Sequence, residues 1–424
     1  MKRIAAISTL VMFFLISGCN TSDQGISVPA ASPTDPLPES IPSNPPTETR
    51  EIPTPSATPT PPPEILSKYT LSVVLDYDTH LVQVDEQVSY MNTTGSELSE
   101  LLLLVEPNTY PGGFTLNSLT WEDGVAISDF DLNGRELVIP LPENLLPGTS
   151  VVINLSYQLN LPNQNAPYGY TERQTNLGDW YPYVPPYVPD DGWLVRDDAF
   201  LGEHLAYDMA EFLVDIQLAN PFSANGLELV LAASSEPTLD GEKYRFHHAP
   251  ARNFAWSVSD LYQVLDTQVG GVQVKSYSFP YHPAADVAAL EESAKSLEIF
   301  NDLFGPYPHQ SLSVVEADFL DGMEFDGLIY LSHAFYDYYS GDQRSNLTII
   351  AAHEVAHQWF YGLVGNDQAM EPWLDEALST FSEVYFYENA YPELVDWYWE
   401  NRIYFHNPEG WVDSTIYEAE GYYP

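Results

Sequence analysis

Ala351-Ala352-His353-Glu354-Val355-Ala356-His357-Gln358-Trp359 lies in a run kept largely apolar by Ile349, Ile350 and Val355, as a buried helix requires. On an α-helix, positions i and i+4 are offset by about 40° and about 6 Å of rise. His353 and His357 therefore present their imidazoles to one point and can bind one metal. Glu354 is rotated by about 100° from His353 and falls beside that point, where it can take a proton from a metal-bound water. Two imidazoles and a carboxylate on an apolar helix are costly without a metal or other partners. The pattern arises by chance in roughly 2% of chains of this composition, so it needs a third ligand before it carries a metal site.

No Gly-x-x-His continuation follows His357, which excludes the metzincin arrangement. Trp373-Leu374-Asp375-Glu376-Ala377 comes instead, with 18 residues between His357 and Glu376. Helices are expected at about 345–362 and about 372–389, with Pro372 suited to a first helical turn. The loop 362–370 lets the second helix return against the first and bring Glu376 to the histidines. Two His and one Glu leave a fourth position for water, the arrangement of a catalytic Zn²⁺, here one per chain. Asp375 and Glu383 are read as supporting or structural groups.

Upstream the texture differs. From Tyr69, short runs rich in Val, Leu, Tyr and Thr alternate with turn signals such as Asn133-Gly134 and Pro147-Gly148. Strands are expected at 69–77, 80–90, 101–105, 136–140, 150–159, 211–218, 227–232, 243–247 and 272–279. This is an all-β region of about 200 residues, assigned to 66–268. The Tyr-, Trp- and Pro-rich stretch 168–193 reads as a packed irregular loop in preference to a carbohydrate platform. After Pro280 the period turns helical. A helix is expected at 284–304, stopped by Gly305-Pro306, and a strand at 312–316. Residues 269–424 form the second domain.

The chain begins with basic Lys2 and Arg3, then an apolar run 4–16 too short to span a membrane. Ile16-Ser17-Gly18-Cys19 resembles the bacterial lipobox, and Cys19 is the one cysteine of the 424 residues. Residues 1–18 are thus expected to be a lipoprotein signal peptide, with Cys19 acylated; an ordinary signal peptide with an incidental Cys is the alternative. Residues 19–65, dense in Pro, Ser and Thr, cannot bury enough surface to fold and read as a tether. The expected location is the bacterial cell surface, outside the cytoplasm and lipid-anchored to the membrane. The formal net charge of -47, with 14 Lys and Arg against 61 Asp and Glu, excludes nucleic acid as a partner.

His353 to His357, the 18-residue gap and Trp373-Leu374-Asp375-Glu376 together resemble the gluzincin aminopeptidases of the membrane alanyl aminopeptidase family. Ala251-Arg252-Asn253-Phe254-Ala255-Trp256 is similar to the segment that closes the family's first domain. Gly322-Met323-Glu324 resembles its exopeptidase motif GxMEN. The resemblance runs from about Tyr69 to the end. It implies a multidomain fold, a saddle-like all-β N-terminal domain followed by an α+β thermolysin-like catalytic domain. It also implies roles: Glu354 as general base, His353, His357 and Glu376 as zinc ligands, and Glu324 as the partner of a peptide substrate's free α-amine. Gly322 and Met323 would shape that wall of the cleft. Two departures stand out. Phe325 replaces the motif's Asn, which bears on strict aminopeptidase action. The family's oxyanion-stabilising Tyr, in a Tyr-x-(Lys/Arg)-Gly setting, matches none of Tyr404, Tyr417, Tyr422 or Tyr423. The chain is therefore expected to be a C-terminally truncated fragment. The expected activity is removal of N-terminal residues from extracellular peptides. The alternatives are a zinc endopeptidase on the same frame, or a non-catalytic surface binding protein with a relic metal site.

Overall fold

The computed structural model describes residues 67–189, 191–196 and 203–404. The expected signal peptide, Cys19, the tether, Tyr417, Tyr422 and Tyr423 lie outside them.

The N-terminal half is built on a seven-stranded sheet. Its order is Thr238–Asp240, Lys243–Ala251, Ala210–Leu218, Ser67–Asp76, Leu81–Met91, Ser150–Asn160, Phe114–Trp121. Alternation drives it. In Ala210–Leu218, Phe212, Val214, Ile216 and Leu218 point into the core while Glu211, Leu213, Asp215 and Gln217 face outward. Each such buried side chain contributes roughly 1.5–3 kcal/mol relative to exposure. Ser67–Asp76 and Ala210–Leu218 run parallel, a pairing that joins the two ends of the half. The stretch 168–193 is packed as expected. Trp180, Tyr181 and Tyr183 are buried, and the Trp180 indole donates to Phe254 O at 2.9 Å.

The second half centres on a five-stranded sheet, in order Gln263–Val269, Val272–Ser278, Ser311–Ala317, Leu328–Ser332, Gly322–Phe325. Gln263–Val269 pairs along Val272–Ser278, so the change of sheet falls before Gln263 and not between 268 and 269. Every residue of Ser311–Ala317 is buried, because both faces are covered. Leu312, Val314, Ile329 and Leu331 face helices α1 (Pro283–Phe304) and α3 (Asn346–Ala356). Val315, Ala317, Leu328 and Tyr330 face Ala232, Ala255 and Tyr262 of the N-terminal half. A short helix α2 (His333–Asp337) follows Leu328–Ser332, and α4 (Leu378–Ala390) packs on α3. Among the described residues no helix is long and apolar enough to cross a membrane.

Helix α1 has Pro283 in its first turn and ends at Gly305, whose φ of 103° suits glycine. Helix α3 starts where the Ser345 hydroxyl caps Thr348 N, and it is buried from Leu347 through Ala356. It ends at Ala356, earlier than the expected 362. Beyond it, Gln358 and Trp359 turn inward to bond other elements: the Trp359 indole donates to Gly305 O at 3.0 Å. The expected helix 372–389 is divided. Trp373–Ala377 forms a π turn, and α4 continues from Leu378 to Ala390. π turns cluster at functional sites, and this one carries Glu376.

Candidate metal centre and cleft

The last turns of α3 meet the π turn Trp373–Ala377. Here His353, His357 and Glu376 each offer a ligand atom, all within 4.8 Å of one another. The two Nε2 atoms are 3.0 Å apart, and Glu376 Oε2 is 3.2 Å from His353 Nε2. Glu376 Oε1 is 3.7 Å from His357 Nε2. Tetrahedral Zn²⁺ with bonds of about 2.0–2.1 Å would set its ligand atoms roughly 3.3 Å apart, so these spacings fit.

The hydrogens fit too. His353 Nδ1 donates to Glu383 Oε1 at 2.8 Å, and His357 Nδ1 donates to Phe360 O at 3.0 Å. With both rings neutral, the two Nε2 lone pairs and the carboxylate face one point, a donor set that suits a divalent cation. With no cation there, the Glu376 and Glu383 carboxylates raise His353 well above the ordinary imidazole value, against the opposing effect of burial. Burial pushes His357 down to about 4, which keeps it neutral.

Glu354 projects beside this point. It is buried, its Oε2 has no hydrogen-bond partner, and burial first of all pushes its carboxyl up to about 8. A Cβ at Gly322 would lie 2.0 Å from Glu354 Oε1, so only glycine lets the edge strand Gly322–Phe325 approach this closely. On that strand Glu324 is buried, and its carboxylate lies within 4.8 Å of ligand atoms of Glu354 and His357. Gln368 Nε2 donates to Glu324 Oε1 at 3.1 Å. Met323 is half-buried and packs on the core shared with the N-terminal half. Phe325 points away from the cleft. It is 1% exposed, and its ring lies against Gly178 and Tyr330. The structure therefore brings together Gly322, Glu324, His353, Glu354, His357 and Glu376, with Met323 at their edge.

Four further groups have no signal in the sequence. Glu203, from the N-terminal half, sits with Glu324 and Glu376, carboxylate oxygens within 4.8 Å of one another; burial and then Glu376 push it up to about 7. Burial, then Glu203, Glu354, Glu376 and Asp375, hold Glu324 well above the usual carboxylate range. Arg402 donates to both oxygens of buried Glu383, at 2.9 and 3.0 Å, and Tyr398 OH donates to Glu383 Oε2 at 2.8 Å. These fix the carboxylate that orients His353. Gln358 ties α3 to the edge hairpin, donating to Phe325 O at 3.1 Å and accepting from Gly327 N at 2.9 Å.

This geometry agrees with the comparisons to known proteins. Residues 288–415 match the model of the Peptidase family M1 domain. That match spans the metal centre, 128 of the 424 residues. The chain is similar to endoplasmic reticulum aminopeptidase 1 of Mus musculus, 34% identical over 148 residues, which are 33% of this chain and 16% of that protein. It is similar to puromycin-sensitive aminopeptidase of Caenorhabditis elegans, 27% identical over 200 residues, 44% of this chain and 21% of that protein. The chain thus spans only a fraction of the length of these relatives. Its fold matches the crystal structure of the M1 zinc metallopeptidase from Deinococcus radiodurans, with a TM-score of 0.58 at 18% identity, covering 83% of this chain and 76% of that one. A mutant of that metallopeptidase bound to a Tyr-Ser-Ala substrate gives a TM-score of 0.55. Both neighbours support a multidomain fold in which a strand-rich half precedes a helical half.

Proposed function

We propose that the protein removes N-terminal residues from peptides in a zinc-dependent hydrolysis. The observation that carries this reading is the Glu324 carboxylate, held by Gln368 beside Glu354 and the His353–His357–Glu376 cluster. Zn²⁺ held by His353, His357 and Glu376 would polarise the scissile carbonyl and acidify the attacking water. The remaining work falls to side chains. Glu354 accepts the water's proton at its unpartnered Oε2 and returns it to the leaving amine. Burial raises the Glu354 carboxyl to about 8, and a Zn²⁺ held by that ligand set would lower it and keep it ionised, ready to accept the proton. Glu324 pairs with the substrate's α-ammonium, a charge that a buried carboxylate wall accepts and a blocked N-terminus lacks. Phe325, where the motif has Asn, packs out of the cleft and leaves Glu324 facing it.

Hydrolysis of aminoacyl-4-nitroanilides compared with N-acetylated internal peptides tests this. Release from free-amine substrates that disappears on acetylation is expected. Cleavage of the blocked peptides alone would make the protein an endopeptidase. A zinc-free, inactive full chain would leave only a binding protein.

The proposal extends to location. The basic start, the short apolar run and the single Cys19 support an acylated, surface-anchored lipoprotein acting on extracellular peptides, with 19–65 as the tether. Incorporation of an alkyne-palmitate label that Cys19→Ala abolishes is the expected result; labelling that persists in that variant contradicts it.

A further inference from the structure

His357 sits at the very end of α3, as its C-terminal cap, where helical hydrogen bonding gives out. Its ring is oriented by Phe360 O, a carbonyl of the next turn, and its own carbonyl accepts from Gly362 N at 2.9 Å. That turn holds Tyr361 at a φ of 142°, a conformation that a residue with a side chain adopts only under constraint. The constraint comes from the N-terminal half. Arg252 Nε donates to Tyr361 O and to Gly362 O, and Nη2 donates to Leu363 O at 3.4 Å. Arg252 Nη1 donates to Tyr207 O at 2.7 Å, anchoring the guanidinium in its own half. Asn253, 2% exposed, donates to the Tyr361 hydroxyl at 2.6 Å. The guanidinium lies flat on Gly365, where an added Cβ would fall 2.3 Å from Arg252 Cζ. The same dipeptide holds the Glu324 hairpin. Arg252 N donates to Asp326 Oδ2 at 2.9 Å, and Asp326 N donates to Asn253 Oδ1 at 3.1 Å.

We propose that Arg252 and Asn253 are positioning residues for the metal centre, acting through the turn 360–363 that orients His357. The N-terminal half thereby sets the geometry of one zinc ligand without touching the metal. The inference rests on the metal reading above. Elsewhere, Arg173 also bridges the halves, pairing with Asp318 and meeting His333, with no bond to that turn. It separates positioning from simple attachment of one half to the other.

The test is the zinc dissociation constant of the full chain by chelator competition, with kcat and KM on a free-amine substrate. Arg252→Met keeps the backbone bond to Asp326 and removes the clamp. It is expected to weaken zinc binding about tenfold, the scale of lost outer-shell support, and to lower kcat with KM within about twofold. Added guanidinium should restore part of the loss. Gly365→Ala, which displaces the guanidinium without deleting it, and Tyr361→Phe, which removes only the Asn253 partner, should move zinc affinity the same way by less. They keep the question answerable if Arg252→Met folds poorly. Arg173→Met should leave zinc affinity unchanged. Unchanged affinity in all three clamp variants, or an equal loss in Arg173→Met, overturns the proposal. An unsubstituted chain that binds no zinc sinks the metal reading first, and this one with it.

Discussion

A methyl group at residue 322 would meet the Glu354 carboxylate, since the Cβ position lies 2.0 Å from Oε1. Gly322→Ala is therefore expected to displace the base while sparing His353, His357 and Glu376. A misplacement of about 1 Å costs on the order of 100-fold in rate, so kcat should fall by that scale with zinc content unchanged. Glu354→Gln goes further, because it removes the proton acceptor altogether. Turnover should drop by about 10²–10⁴-fold, the usual worth of a general base, again with zinc retained. Turnover near the unsubstituted level in Glu354→Gln would remove that residue from the mechanism. At this scale the sequence was informative for a physical reason. His353, Glu354 and His357 share one helix, so their spacing alone aligns them. Glu376 follows within the next element. Glu203 did not announce itself, because it reaches the cleft from the other half by tertiary contact only.

The elements show how far pattern reading reaches. Ala210–Leu218 and Leu81–Met91 alternate cleanly and were legible as strands. Gln263–Val269 was not, because no residue of this edge strand is fully buried and its inner face is thin, Leu265 and Val269 with Thr267 between them. Gly322–Phe325 hid because four residues at a sheet edge are too few to show an alternating pattern. Helix α3 was legible, but its end was not: Gln358 and Trp359 leave the helix to satisfy Gly327, Phe325 and Gly305, partners distant in sequence. The pairing of Arg402 with Glu383 belongs here as well, since it fastens the segment after α4 to the carboxylate that orients His353. Arg402→Leu leaves Glu383 buried with two fewer donated hydrogen bonds and no cation beside it. Zinc affinity should weaken by about tenfold or more, as for other losses of outer-shell support. Equilibrium dialysis of the variant against the unsubstituted chain reads this directly, and equal affinities would make Arg402 merely a surface anchor.

Over the whole molecule, a formal charge of -47 makes stability depend on pH through many groups at once, so one group must be isolated by difference. Glu86 allows that. It lies in the core of the seven-stranded sheet at 2% exposure, far in sequence from the metal centre. Tyr157 OH donates to Oε2 at 2.9 Å, while Oε1 has no partner. Burial raises its carboxyl well above the ordinary value, with the Tyr157 bond opposing only in part. The folded chain therefore holds a proton here that the unfolded chain releases near pH 4.5. Above that pH the folded state binds more protons than the unfolded state, so this group makes stability fall as pH rises. The fall continues until pH passes the raised folded value, at about 1.4 kcal/mol per pH unit. Glu86→Gln keeps an acceptor for Tyr157 and abolishes the titration. Near pH 4.5 the two proteins should unfold at similar temperatures. By pH 7 the variant should be the more stable, and the gap should widen with pH through the interval. Thermal unfolding at a series of pH values, at fixed salt, measures the difference. A gap that stays flat from pH 5 to pH 8 would mean that Glu86 is already ionised in the folded core, with a counter-charge supplied from outside the Tyr157 pair.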